Sequence, residues 1–387
     1  MLSEATLHGS VPNTASDSRG IAFLTTAVCV TLAAVLVFLL LVSGQGVQRG
    51  GDDTASQVSV MDKYDMYMTN AISNALEGVL AVEKVYWLSD RDIVAPEPDP
   101  ACYGEASSPE EILWLLDEAA DLIGDQEMLF CADTRVWPGE PIRYYLDESI
   151  LVITWKQETP DSMLTISEVK ISHPSQFRRF LADGTYGSDK QYTTTDMAAS
   201  VNAVVASSGD FYKFRQYGTI VYNDALHRFE GHMVDTCFID DRGDLNFVYR
   251  DEFQTREQAE QFVEENDIRF SLAFGPVLVD GGEVVRIRGY GLGEVNETYS
   301  RAALCQKGEL HYLLVSSGAE GGRVLGQTIN SFAKIISGFG VDKAYALDGG
   351  QTTVIAMNDE MINNVDFGTQ RKISDIIYFA TAMPEGD

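Results

Sequence analysis

The chain has 387 residues, with 28 lysines and arginines against 58 aspartates and glutamates. The resulting formal charge of −30 repels polyanions and excludes a nucleic-acid-wrapping role. Apolar residues at 45% and charged residues at 22% are globular proportions, enough to bury a core in one or two domains.

Residues 1–20 form a short tail, and the run from Ile21 to Val42, IAFLTTAVCVTLAAVLVFLLLV, contains no charge. A hydrocarbon layer needs about 20 apolar residues, so this run is predicted to be a transmembrane anchor. A cleaved secretory signal is the alternative, but such signals carry apolar runs of roughly 7–15 residues, and VSGQG is a poor cleavage site. Only Arg19 and Arg49 flank the run, so charge does not orient it. Residues 43–58, rich in Gly, Asp, Ser and Gln, read as a flexible stalk.

Residues 59–140 are predicted to be a helical segment. Met61, Tyr64, Met68, Ile72, Ala75, Leu76, Val79 and Leu80 recur at helical spacing on the stretch to about Trp87. Pro96, Pro98 and Pro100 interrupt the chain, and Ser108-Pro109-Glu110-Glu111 then predicts a capped helix over ILWLLDEAADLI. Beyond Pro141 the texture changes to β-branched and aromatic runs: IRYY, ILVITW, MLTISEVKI, GTIVY, NFVYR, GPVLV and EVVRI. Two helices interrupt them, one opening at Thr255 with Gln258 in capping position, the other TINSFAKIIS ending at Gly338 and Gly340. Residues 141–387 therefore read as a mixed, strand-rich α+β domain.

Cys102, Cys131, Cys237 and Cys305 lack the C-x-x-C spacing of zinc or redox sites. Cys102 and Cys131 are either a staple across a small subdomain or two thiols; spacing does not choose. The five histidines show no HExxH pattern, Gly289 to Gly293 lacks the ending of a phosphate loop, and no G-x-S-x-G elbow is present. No metal and no cofactor is implied.

The segment AYALDGGQTTVIAM, residues 344–357, joins two apolar runs through Asp348-Gly349-Gly350. Asp-Gly between strands is the ordinary sequence of a hairpin turn. It also places a carboxylate beside main-chain N–H groups that glycines leave open to a ligand.

That run resembles the LDGGGSS signature of the phosphodiester glycosidase family, which includes bacterial exopolysaccharide proteins. Other segments resemble the family in the same order: VNAVVASSGDFYKFRQYGTIVYND at 201–224, FGPVLVDGG at 274–282, RAALC at 301–305, GQTINSFAKIISGFGVDKAYALDGG, and RKISDIIYFA at 371–380. The resemblance covers roughly residues 140–387 and implies hydrolysis of glycosyl 1-phosphodiesters of the N-acetylglucosamine type. Such chemistry runs through an oxocarbenium-like transition state, usually served by carboxylates. It implies Asp348 and Asp210 as catalytic carboxylates and Arg301 as a bidentate phosphate clamp. Ser208, Gly209, Arg215, Gly349, Gly350, Gln351, Thr352, Thr353 and Arg371 become candidate substrate contacts; each arginine could equally be a surface ion pair on its own. The sequence departs from the family pattern at Ser208, Gln351, Thr352-Thr353, Ala302, Cys305 and around Ser316 and Ser317. The expectation is thus a single-pass cell-membrane hydrolase, its C-terminal domain extracytoplasmic, acting on sugar phosphodiesters of anionic surface polysaccharide. The alternative is a member of the same fold that binds anionic glycan, or scaffolds an envelope assembly, without cleaving it.

Overall fold

The computed structural model describes residues 86–87, 94–160, 162–287, 289–290, 293–318 and 326–384. The expected tail, anchor and stalk, and the helical stripe from Met61 through residue 85, lie outside these. No helix among the described residues is long and apolar enough to cross a membrane. Where the stripe is expected to end, Tyr86–Trp87 is instead a short strand paired antiparallel with Met383–Pro384.

The long β-branched runs build a nine-stranded sheet. Its order is Glu283–Val284, Val277–Asp280, Lys343–Leu347, Arg301–Gly308, His311–Gly318, Met163–Ile171, Ile150–Glu158, Ile142–Leu146 and Tyr103–Ala106, and every pairing is antiparallel. Antiparallel sheets often show alternating polarity because one face meets water. Here both faces are buried, so alternate residues of one strand enter different cores. Leu151, Ile153, Trp155, Ala303, Cys305, Ala344 and Ala346 face one core, which includes Leu115, Phe332 and Ile336 from the helices. Ile150, Val152, Ala302, Leu304, Tyr345 and Leu347 face the other, which includes Phe177, Val205, Phe270, Ile355 and Phe379 from further strands.

Those further strands form a second sheet of five, ordered Glu360–Met361, Ile355–Met357, Val205–Ser208, Asp375–Phe379 and Phe177–Leu181. A third sheet is ordered Leu245–Val248, Thr236–Asp240 and Ile268–Leu272. The described domain is thus strand-rich α+β, with helices on one face of the large sheet and smaller sheets on the other.

Three local expectations meet different outcomes. The Thr255 capping box forms, Thr255 and Gln258 each satisfying the other's backbone at the start of Arg256–Glu265. Over 94–140, in place of one helical segment, the chain makes an edge strand of the large sheet, a 3₁₀ turn Pro109–Glu111 and two short helices, Trp114–Glu118 and Ala120–Ile123. Ser108 makes no side-chain cap; Glu111 reaches back to the Ser107 N–H at 3.0 Å instead. Cys102 and Cys131 are thiols, not a bridge.

Candidate active site

The segment 344–357 is not a hairpin. Lys343–Leu347 belongs to the nine-stranded sheet and Ile355–Met357 to the five-stranded one, so the chain passes between sheets through Asp348-Gly349 and the 3₁₀ turn Gly350–Thr352. At this crossing the Asp348 N–H donates to the Gly209 carbonyl at 3.3 Å, joining it to the end of Val205–Ser208. Two motifs more than a hundred residues apart therefore meet through their main chains. Gly349 has no room for a side chain, since a Cβ there would lie 2.7 Å from the Ser300 carbonyl oxygen. Gly350 donates its N–H to that same carbonyl at 2.9 Å.

Asp348 is 8% exposed, and burial raises its carboxyl from 3.8 to about 6 despite the Arg371 and Arg215 guanidiniums, a Thr352 hydrogen bond and the Gly349 N–H. Arg371 Nη2 lies 3.0 Å from Asp348 Oδ2, and the Gly349 N–H donates to Oδ1 at 3.0 Å. Arg371 remains 43% exposed along its side chain, so the pair has a buried acid and a wet cation. The Arg371 guanidinium lies 5.2 Å from the Phe211 ring and that of Arg215 lies 5.6 Å from it, with Phe274 at 4.3 Å from Arg215. Asp348, Arg371, Arg215 and their aromatic supports thus form one cluster. A carboxyl that titrates near neutral pH beside two cations can interact with a positively charged transition state while the arginines hold phosphate oxygens.

Asp210 and Arg301 occupy different environments from Asp348. The Asp210 side chain is wholly buried: Oδ1 lies 2.9 Å from Arg179 Nη2 and accepts the Tyr212 N–H at 2.7 Å, while Oδ2 accepts the Ala273 N–H at 2.8 Å. Arg179 also holds Asp375, through Nε at 3.1 Å and Nη2 at 2.8 Å, and donates from Nη1 to the Ser271 carbonyl. Burial and the neighbouring Asp210 hold the Asp375 carboxyl well above its ordinary value, with Arg179 opposing them. Asp375 Oδ1 has no hydrogen-bond partner. This packed charge cluster also explains Gly209: a Cβ there would lie 2.0 Å from Asp375 Oδ2. The Asp210 N–H donates to the same Oδ2 at 3.1 Å, which fixes the turn leading to Phe211 and Arg215.

Arg301 is 7% exposed and is bonded to main chain, its Nε donating to the Gln327 carbonyl at 3.0 Å and Nη2 to the Glu297 carbonyl at 2.6 Å. In this arrangement it fastens two loop segments rather than presenting a fork at the surface. Thr352 and Thr353 are fully buried, and their hydroxyls donate to the Gly349 and Gly350 carbonyls at 2.7 and 3.0 Å. They stiffen the crossing from within. Gln351 lies on the rim, its amide 3.4 Å from the Thr369 carbonyl. Ser208 is buried, and its hydroxyl makes no hydrogen bond. Ser317 accepts the Arg301 N–H at 2.9 Å, and Ser316 donates to the Thr353 carbonyl at 2.9 Å.

Sequence reasoning missed Arg179, Asp375 and the aromatic supports Phe211 and Phe274. Asp375 lay inside the quoted RKISDIIYFA, where an acid opening an otherwise apolar strand was the available signal. Arg179 sits in FRRFL, where it and Arg178 are two adjacent charges within an otherwise apolar strand. No group of three or more His, Cys, Asp or Glu among the described residues is placed to hold a metal ion. A groove of about 1300 Å³ elsewhere is lined by Trp114, Tyr144 and Lys170 together with Glu118, Asp121 and Asp147. None of the cluster around Asp348 lines it, and its acidic rim would repel phosphate.

Residues 201–380 match the family model described as phosphodiester glycosidase. The sequence matches no curated protein. Among solved structures, a hypothetical protein from Synechocystis superposes with a TM-score of 0.49 at 16% identity, covering 64% of this chain and 64% of that one. The chain therefore spans less than two thirds of that relative. The zebrafish N-acetylglucosamine-1-phosphodiester alpha-N-acetylglucosaminidase catalytic domain, auto-inhibited by its pro-peptide, gives 0.48 at 16% identity, covering 60% of this chain and 84% of that one. An exported protein from Burkholderia pseudomallei gives 0.41 at 11% identity, with coverage of 57% and 74%.

Proposed function

We propose that this protein, whose residues 201–380 match the phosphodiester glycosidase family model, hydrolyses glycosyl 1-phosphodiesters at the cluster around Asp348. The observation that carries the reading is the pairing of a buried carboxyl, raised to about 6, with Arg371 and beside Arg215. In the reaction the bond from the anomeric carbon to the phosphate oxygen breaks. Its electron pair leaves with the phosphate monoester, and water supplies hydroxide to the anomeric carbon, giving free sugar and one proton. Asp348, ionised above about pH 6, faces the positive charge that develops on the sugar. Arg371 and Arg215 take up the charge that gathers on the departing phosphate. Asp210, held by Arg179 and two main-chain N–H groups, positions the Phe211–Arg215 turn, and Arg301 positions the loops it fastens.

N-acetylglucosamine is the sugar suggested by the family resemblance, and it is the sugar of the zebrafish N-acetylglucosamine-1-phosphodiester alpha-N-acetylglucosaminidase. The apolar run at 21–42 supports attachment to the cell membrane; a domain outside the cytoplasm, acting on anionic surface polysaccharide, is the orientation that the family resemblance suggests. A second reading, binding of anionic glycan without cleavage, is favoured by one observation: Asp210 and Arg301 already hold protein partners. Release of free sugar from a panel of glycosyl 1-phosphodiesters by the full chain, beside Asp348→Asn, separates the two. Turnover that the substitution abolishes supports hydrolysis, and binding without turnover in the unsubstituted protein supports the second reading.

A further inference from the structure

The two loops that bring arginines to Asp348 each also expose an aromatic ring. Phe214 is 45% exposed and stacks on Phe211, with ring centroids 4.6 Å apart. Phe211 in turn lies beside the guanidiniums of Arg371 and Arg215. Phe367 is 80% exposed, the highest value among the large apolar residues that the described structure leaves at the surface. It also adopts a φ of +63°, a left-handed conformation that disfavours any residue with a Cβ.

Its surroundings enforce that conformation. Asp366 is buried and accepts the Ser300 hydroxyl, next to Arg301. The Gly368 N–H donates to the Val365 carbonyl at 3.0 Å. Farther along the loop, Gln351 and Thr369 are bonded, the Arg371 N–H donates to the Gln351 carbonyl at 3.4 Å, and Arg371 reaches Asp348. The loop is therefore fastened to the Asp348 crossing along its length while it holds a large apolar ring in water on a disfavoured backbone. Two unfavourable features at one residue, both maintained by neighbours, indicate a ring kept for an encounter with something outside the chain.

We propose that Phe214 and Phe367 are specificity-determining residues that stack on the pyranose ring on the far side of the phosphate, the alcohol part of the substrate. The C–H groups on the flat face of a pyranose are weakly positive and apolar, and suit the negative face of an aromatic ring. Phe214 is linked through Phe211 to both guanidiniums, and Phe367 lies four residues before Arg371 on the same loop, so a ring attached to a phosphate held by the arginines is offered to the two phenylalanines. A small alkyl alcohol in the same position leaves them in water. This inference rests on the reading of the site given above and extends it to the choice of substrate.

The test compares the full chain with Phe214→Ala, Phe367→Ala, Phe367→Tyr and Phe367→Gly on two N-acetylglucosamine 1-phosphodiesters, one esterified to a methyl hexoside and one to methanol. Each alanine variant should lose about tenfold in kcat/KM on the hexoside ester and stay within about twofold on the methyl ester. Phe367→Tyr should retain the hexoside preference. Phe367→Gly should lose it while raising Tm, because glycine accepts φ of +63° without strain. Equal losses on both esters, or none on either, would overturn the inference while leaving the hydrolytic reading intact. If the unsubstituted chain cleaves neither ester, the hydrolytic reading fails, and saturation-transfer NMR with the hexoside ester decides the stacking separately. Transfer to the hexose ring protons that Phe367→Ala and Phe214→Ala reduce would support it, and transfer unchanged in both variants, or absent throughout, would overturn it.

Discussion

Replacing Asp348 with asparagine should abolish turnover and, at the same time, stabilise the fold, and the second effect follows quantitatively from the structure. The carboxyl titrates at 3.8 when solvated and at about 6 in the folded chain, where burial outweighs Arg371 and Arg215. Below pH 3.8 it is protonated in folded and unfolded chains alike and contributes no difference between them. As pH rises toward 6 the unfolded chain releases the proton first, so stability falls; above 6 the full cost is present. At 1.36 kcal/mol for each pH unit, that cost is ~3 kcal/mol. Asparagine keeps the size of the side chain and an oxygen for the Gly349 N–H, while Arg371 loses its partner but retains water around a side chain that is 43% exposed. Urea unfolding of both proteins at pH 4 and pH 8 is the assay. The expected result is near-equality at the lower pH and an advantage of up to ~3 kcal/mol for Asp348→Asn at the higher. Other carboxyls, Asp375 included, cancel in the comparison. A difference independent of pH, or a variant less stable at pH 8, would refute the argument that Asp348 is held ionised against its own burial.

Because Arg371 lowers the Asp348 carboxyl, Arg371→Gln should move the acid limb of kcat/KM to higher pH from its expected position near 6, besides weakening phosphate binding; a pH–rate profile of both proteins reads this directly. Arg179→Met leaves two buried carboxylates without their cation and should cost ~3–5 kcal/mol at pH 8, less at pH 5 where Asp375, whose carboxyl burial already raises, takes up a proton, as chemical denaturation at the two pH values would show. Gly209→Ala places a methyl against Asp375 Oδ2 and should destabilise by ~2 kcal/mol or more, with turnover lost through displacement of the Asp210 turn; thermal unfolding and a single-substrate assay suffice.

Much of the strand content was readable because long β-branched runs such as ILVITW and MLTISEVKI have few other fates, and the Thr255 helix announced itself through its capping box. The layering was not readable. Alternation, the usual indicator of which residues face inward, is erased where Ile150–Glu158 and Met163–Ile171 bury both faces. The Asp348 loop was singled out for glycine N–H groups open to a ligand, but those of Gly349 and Gly350 are held by Asp348 Oδ1 and the Ser300 carbonyl; its neighbours in sequence also suggested a hairpin, since local sequence carries no record of which sheet the next strand joins. Arg179, Asp375 and Asp210 show the same limit from another side. A charge within an apolar run signals a buried partner, but the partner of Arg179 lies 196 residues away, at Asp375.

That the chain changes sheets at Asp348 has a consequence for biogenesis. The carboxyl, Arg215 and Arg371 are contributed by strand ends from both sheets, and the turn beneath them depends on Phe177–Leu181 and Asp375–Phe379 being adjacent. A nascent chain that has made everything up to residue 360 still lacks the strand that carries Asp375 and the arginine that meets Asp348. The proposed site is therefore completed only with the last strands, and a truncated or half-assembled chain would lack it.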